Sequence, residues 1–229
     1  MSTLNTIDIP KSGGGVQKTL EPGNHIVTIT KVELKPFIFI PGAYDLLFYV
    51  EGPDLGEEFQ GFFLDKDNES LGRHKGQVAR VKAGLWSFAD STTKSGVKIN
   101  RDNEILKFLS SFCEAIDKKE WLPSQNGKHA TIESLVEAFI LDAPYKDLYI
   151  NTCLAGKEYM NKQYVAHELF FPKFTKGGTP FELAGLEKSK VAVFNETVHI
   201  VKKKVESVAN FTADDSVSTP DAASDDFVL

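Results

Sequence analysis

The chain has 229 residues, 41 % of them hydrophobic, with 17 Phe against 2 Met and 2 Trp, and a formal net charge of −6. That length and apolar content suit one large domain, or one domain with appendages, built on an aromatic-rich core. Two cysteines, Cys113 and Cys153, without neighbouring metal-type partners exclude a disulfide scaffold, and no apolar run reaches the ~18 residues of a membrane span. With no signal-peptide core either, the composition predicts a protein of a reducing cytoplasm with no membrane partner.

Residues 1–20 read as a flexible lead. Their glycines, in Lys11-Ser-Gly-Gly-Gly15, are not followed by the Gly-Lys-Ser/Thr of a phosphate loop. Order is expected from the turn signal Glu21-Pro22-Gly23. The β-branched run Asn24–Leu34 then predicts a long first strand. Val27 and Ile29 share one parity and Val32 and Leu34 the other, so the strand should carry a bulge or sharp coil near Thr30-Lys31. A loop bracketed by Pro36 and Pro41 holds Phe37 and Phe39. Tyr44–Val50 alternates as a second strand, and Glu58–Asp65 reads as a third, which makes an antiparallel meander.

The period then changes. Val78, Val81, Leu85 and Phe88 are spaced three, four and three apart, which is helical, and Ile105, Leu109, Phe112 and Ile116 continue the pattern at four, three and four after a possible cap at Asp102. A third helix follows Thr131 as N-cap. Residues 70–143 are thus read as a helical insertion. Strands return at Asp147–Leu154 and Gln163–Phe171, joined by a hairpin around Gly156 to Lys162. Val191–Val205 reads as a last strand, or a strand plus a short helix.

Charge is unevenly placed. Asp45 to Glu69 carries eight acidic residues and one lysine, whereas Leu71 to Lys107 carries eight basic and three acidic ones. Gly156 to Lys204 adds nine lysines against five glutamates. The last eighteen residues, 212–229, contain five aspartates and no Lys or Arg, and end on Phe227-Val228-Leu229. Their composition predicts a disordered acidic tail. Its apolar tip suits docking on a partner, and its charge suits competition with a nucleic acid for a basic groove. Without the tail, 27 acidic residues face 26 basic ones over 1–211, so the chain that holds the body, a domain taken as 21–211, is near neutral and its charge distribution carries the information.

Three meander strands, helices, then two more strands is the element order of a five-stranded Greek-key barrel of the oligonucleotide-binding type. The expected class is therefore mainly β with a helical insertion (α+β), the helices lying between strands 3 and 4. With the terminal Ser224-Asp-Asp-Phe-Val-Leu229, the chain resembles phage-type single-stranded DNA-binding proteins. Bacterial relatives of that class end in an acidic tail with an apolar tip. Their tip has Pro before a final Phe, whereas here Val228 and Leu229 follow Phe227. The resemblance implies a protein of DNA replication, recombination or repair in a phage-infected host cytoplasm. It also implies that Asp225, Asp226, Phe227, Val228 and Leu229 recruit replication or recombination proteins.

Single-strand binding requires rings that stack on bases and cations that follow the backbone. Phe37 and Phe39 are the first stacking candidates, in a loop between strands one and two. Tyr159 lies between Lys157 and Lys162, and Trp86 lies near Arg80 and Lys82. Arg73, Lys75, Arg80 and Lys82 are the phosphate candidates. Lys202, Lys203 and Lys204 stand next to the tail, where they could bind phosphates or hold the tail. No cofactor, metal site or catalytic constellation is expected. The five histidines show no H-x-x-x-H spacing, there is no Gly-x-Ser-x-Gly elbow, and Asp65, Asp67 and Glu69 read as a solvated acidic loop. The rival expectation is a protein-interaction module, such as a phage inhibitor or virion component, without nucleic-acid binding.

Overall fold

A computed structural model describes residues 19–53, 76–161, 164–173, 178–186 and 188–202. The fold is mixed α/β, dominated by one seven-stranded sheet, with a separate small hairpin and four helices among the described residues. The packed chain reaches back to Thr19 and Leu20, ahead of the turn at which order was expected. Leu20 is buried in the core, and its N–H donates to Val78 O at 3.0 Å.

Strand β1 (Gly23–Pro36) serves two partners. Its first half pairs antiparallel with β6 (Ile150–Asn161) and its second half with β2 (Tyr44–Glu51). The register shifts between Ile29 and Lys31. This is the bulge that the parity change requires: one extra residue lets Val27 and Ile29, then Val32, all reach the core. β2 continues antiparallel to β3 (Val78–Lys82), and β3 runs parallel to β7 (Tyr164–Phe170) only at Val81 and Lys82. β7 returns antiparallel to β6 over 155–161.

Residues 78–88 do not form the expected helix. Val78 and Val81 belong to β3, and a run of bends at 83–86 carries the chain to a bridge between Phe88 and Tyr44. A strand followed by a bend delivers Val81 and Phe88 to the core at the same spacing as a helix would. The expected third strand, 58–65, lies outside the described residues. Helices begin at α1 (Arg101–Ala115), after the exposed hairpin β4 (Ser91–Thr92) and β5 (Lys98–Ile99). The N-cap of α1 is Asn100, whose side chain accepts from Asn103 N–H at 3.0 Å, and Asp102 sits in the first turn instead. α2 (Trp121–Ser124) is a single turn, and α3 (Ile132–Asp142) has the expected Thr131 cap, accepting from Ser134 N–H at 3.2 Å.

α1 lays Ile105, Leu109, Phe112 and Cys113 on the inner side of the sheet. There the phenylalanines form one connected cluster. Phe112 meets Phe48, Phe139 and Phe181 with ring centroids 5.1–6.1 Å apart, and Phe171 meets Phe48 and Phe181. Among the described residues most phenylalanines thus serve the core, in the tilted and edge-to-face pairings that ring quadrupoles favour.

The C-terminal part of the described chain closes the other side of β6. β8 (Phe181–Leu183) pairs with its first half, and the two-residue β9 (Ile200–Val201) runs parallel to Gly156 and Lys157. Between them Val191 makes only an isolated bridge and α4 (Glu196–His199) is one turn, so over the described residues the expected alternative of a strand plus a short helix is the form found, with a strand of two residues. Asn24 ties this segment down: its amide donates to Ala192 O (2.9 Å) and accepts from Phe194 N–H (2.7 Å). His199 stacks on Phe194, and its Nδ1 accepts from Asn195 N–H at 2.9 Å. Burial holds the His199 pKa below 6.5, so the folded state favours the neutral ring. An unfolded chain then binds the extra proton first, and this contribution to stability, complete above pH 6.5, is lost as pH falls toward the folded value. Thermal melts should show the midpoint falling below pH 6.5, and His199→Gln should flatten that part of the profile.

Candidate nucleic-acid interface

The outward face of the sheet follows from register. Val32, Phe48 and Val81 point into the core, so their alternates point away from it. Lys31 pairs with Tyr49, and Tyr49 with Arg80, giving a cation–aromatic–cation row across three strands. The Lys31 ammonium lies 5.0 Å from the Tyr49 ring centroid. The Tyr49 hydroxyl donates to Glu33 Oε2 at 2.9 Å, and Lys31 reaches the same oxygen at 3.3 Å. These contacts hold the Glu33 carboxyl below its usual range and raise the Tyr49 phenol, and they anchor the half-buried ring.

The next row on this face is different. Lys82 is buried, with Asp45 at 3.1 Å and Glu168 at 3.8 Å from its ammonium, and Ser87 donates to the same Asp45 oxygen. The Phe37 ring lies above it, 5.9 Å from the ammonium to the centroid. Its charge is already matched, which makes Lys82 a support for the 37–43 loop more than a hand for phosphate. Phe39 packs edge-on to Phe37 at 5.5 Å and remains 78 % exposed. The loop is also held from beneath, where Arg101 donates to Gly42 O at 2.7 Å and lies 4.8 Å from the Tyr44 ring.

Glu168 stands opposite Lys157 on β6, and Lys157 lies over the Trp86 ring at 5.0 Å. Trp86 is 70 % exposed on the bend after β3. An indole with that much open surface and a cation on one face is unusual for a structural tryptophan. The ladder between β6 and β7 runs to Asn161, so Lys157 and Tyr159 lie on a strand of the hairpin expected around 156–162. Tyr159 and Tyr164 are both exposed on this ribbon.

Because β3 and β7 pair at only two positions, the strands below are separate. A cleft of about 920 Å³ opens there, lined by Tyr49, Arg80, Lys157, Tyr159 and Tyr164 and floored by Thr19 and Leu20. Phe37, Phe39, Arg80, Trp86, Lys157 and Tyr159, chosen from sequence, thus share one side of the molecule with this cleft. Lys202 is exposed and follows β9, which lies beside Lys157. Arg73, Lys75, Lys162, Lys203, Lys204 and the tail residues Asp225, Asp226, Phe227, Val228 and Leu229 lie outside the described residues, as do Asp65, Asp67 and Glu69. Lys31, Tyr49 and Tyr164 were missed. Strand alternation marks Lys31 as outward opposite Val32, but the meeting of Lys31, Tyr49 and Arg80 depends on the register of three strands.

One other pairing resembles a reactive centre. Cys153 Sγ lies 3.9 Å from His199 Nδ1. The thiol is fully buried, and burial pushes its pKa up to about 11. The facing nitrogen already accepts a backbone N–H, so it cannot take the thiol proton, and the pair is packing. Among the described residues no three His, Cys, Asp or Glu side chains gather as a metal site, and no helix is long and apolar enough to cross a membrane. No family model, no curated protein and no solved structure matches the chain.

Proposed function

We propose that the protein binds single-stranded DNA without sequence preference, as a non-enzymatic accessory of phage-type replication or recombination. The carrying observation is the run of rings beside cations on one side of the sheet: the exposed Phe39, Trp86 with Lys157, Tyr159 and Tyr164, and the half-buried Tyr49 between Lys31 and Arg80. Rings stack on any base, but only where the base face is open. In a duplex those faces are covered by neighbouring pairs, so such a surface selects single strands. The proposed scaffold is an oligonucleotide-binding barrel. In support, the pairings run in a circuit, β1 to β2, β3, β7, β6 and back to β1, with a parallel β3–β7 contact. The helices α1 to α3 fall between β3 and β6, within the span 70–143 read as the helical insertion.

The acidic tail is the proposed regulator, occupying the basic side when DNA is absent and recruiting partner proteins when displaced. The test is a fluorescence-anisotropy titration of a labelled thymidine oligomer. It compares the full chain with one stopped after Phe211, at low and high salt, with a duplex control. The expected result is tighter, salt-sensitive binding by the shortened chain and weak binding to duplex. Absence of single-strand binding by both forms at low salt would overturn the proposal and leave a protein-interaction module.

A further inference from the structure

Three consecutive apolar residues, Ile38, Phe39 and Ile40, form the tip of the loop between β1 and β2, with Ile38 83 % and Phe39 78 % open to solvent. A contiguous exposed apolar patch marks a contact surface. This one is also held in shape. Phe37 N–H donates to Ala43 O (2.8 Å) and Ala43 N–H to Ile40 O (3.1 Å) within the loop. Phe37 rests on Lys82 from one side, and Gly42 accepts from Arg101 on the other. A tip fixed from both sides presents its patch in one geometry, which lowers the entropic cost of binding.

The loop stands at a border. Phe37 and Lys82 belong to the ring-bearing side of the sheet, whereas Arg101 starts α1 and lies over Tyr44, on the side of the helices. On that second side the hairpin of β4 and β5 leaves the fold directly before Arg101, whose N–H donates to Asp90 Oδ1 at 2.8 Å. Ser91–Ile99 holds two lysines, Lys94 and Lys98, and no acidic residue. Both are exposed, and neither ammonium has a partner among the described residues. The carboxylates at the base of the hairpin are engaged elsewhere: Asp90 with the Arg101 backbone, and Asp102 and Glu133 with the Arg101 guanidinium. Two unmatched cations thus stand on the far side of the apolar tip from the rings.

Stacking requires an open base face. In a duplex only the terminal base pair offers one, and it is open where a double strand gives way to a single strand. A base pair presents a broader face than one base. One ring flanked by two branched aliphatic side chains is broad enough to cover it, in the way that apolar wedges cover opened base steps. Resting on the reading of the ring-bearing side as a single-strand site, we infer that Ile38-Phe39-Ile40 caps the last base pair of a junction between duplex and single strand. Lys94 and Lys98 then meet the phosphates of the duplex arm, and the single strand leaves along Trp86 and Lys157.

The test uses the full chain and two labelled DNAs with the same thymidine single strand, one of which continues into a short duplex. Wild type should bind the junction about fivefold more tightly than the plain strand or better, the lower end of what one stacked base contributes. Ile38→Ser with Ile40→Ser should remove most of that preference and leave plain-strand affinity unchanged. Lys94→Gln with Lys98→Gln should also spare the plain strand. On the junction it should make log K against log salt shallower by about 0.9 for each lysine. Equal wild-type affinity for the two DNAs, or a preference that survives both double variants, would overturn the inference and leave the single-strand reading standing. So would a dimer in sedimentation that only Ile38→Ser with Ile40→Ser dissolves, because the tip would then cover a second copy. Failure of wild type to bind either DNA would overturn it together with the single-strand site.

Discussion

Replacing Trp86 with Ala is expected to weaken single-strand binding by about five- to 150-fold, the equivalent of about 1–3 kcal/mol for one lost stacking platform. The ring is 70 % exposed, so its removal uncovers little core and the thermal midpoint should stay near the wild-type value. The loss should persist at high salt, because stacking releases few counterions. Arg80→Ala makes the contrasting case: Arg80 is exposed in the Lys31–Tyr49–Arg80 row, and its loss should lower the salt slope by about 0.7 without abolishing binding. Anisotropy titrations at three salt concentrations separate the two. Wild-type affinity in Trp86→Ala would show that the indole and its Lys157 contact serve only the local structure.

How far these residues could be read from the chain depended on whether their neighbours were local. The bulge of β1 was legible, because Val27, Ile29, Val32 and Leu34 state their parity change within eight residues. The Thr131 cap was legible for the same reason. β3 was not. A strand and a following bend space Val78, Val81, Leu85 and Phe88 as a helix would, and only pairing with β2 and β7 decides between them. Lys82 shows the same limit in charge. Its neighbours in sequence mark it as one more cation of a basic stretch, whereas its partners Asp45 and Glu168 come from two other strands. The site was half legible by this criterion. Rings and cations within a loop or hairpin could be named, and the row formed by Lys31, Tyr49 and Arg80 waited on register.

Phe112→Ala should destabilise the fold by about 3–5 kcal/mol, the range found when a large buried ring is truncated. The ring is fully buried where α1 meets the sheet, and it contacts Phe48 from β2, Phe139 from α3 and Phe181 from β8. No small shift closes the void, since each of those rings is itself held by others, such as Phe171 against both Phe48 and Phe181. The cost should therefore lie toward the upper end, as it does where surroundings cannot collapse. Phe39→Ala removes the same chemistry from a ring 78 % exposed, and its effect on stability should be within about 0.5 kcal/mol. Urea denaturation of the two variants would measure both. A small cost at Phe112 would mean that α1 does not close this core, and the sheet would then have lost the packing that keeps β2 and β3 in register beneath Tyr49 and Arg80.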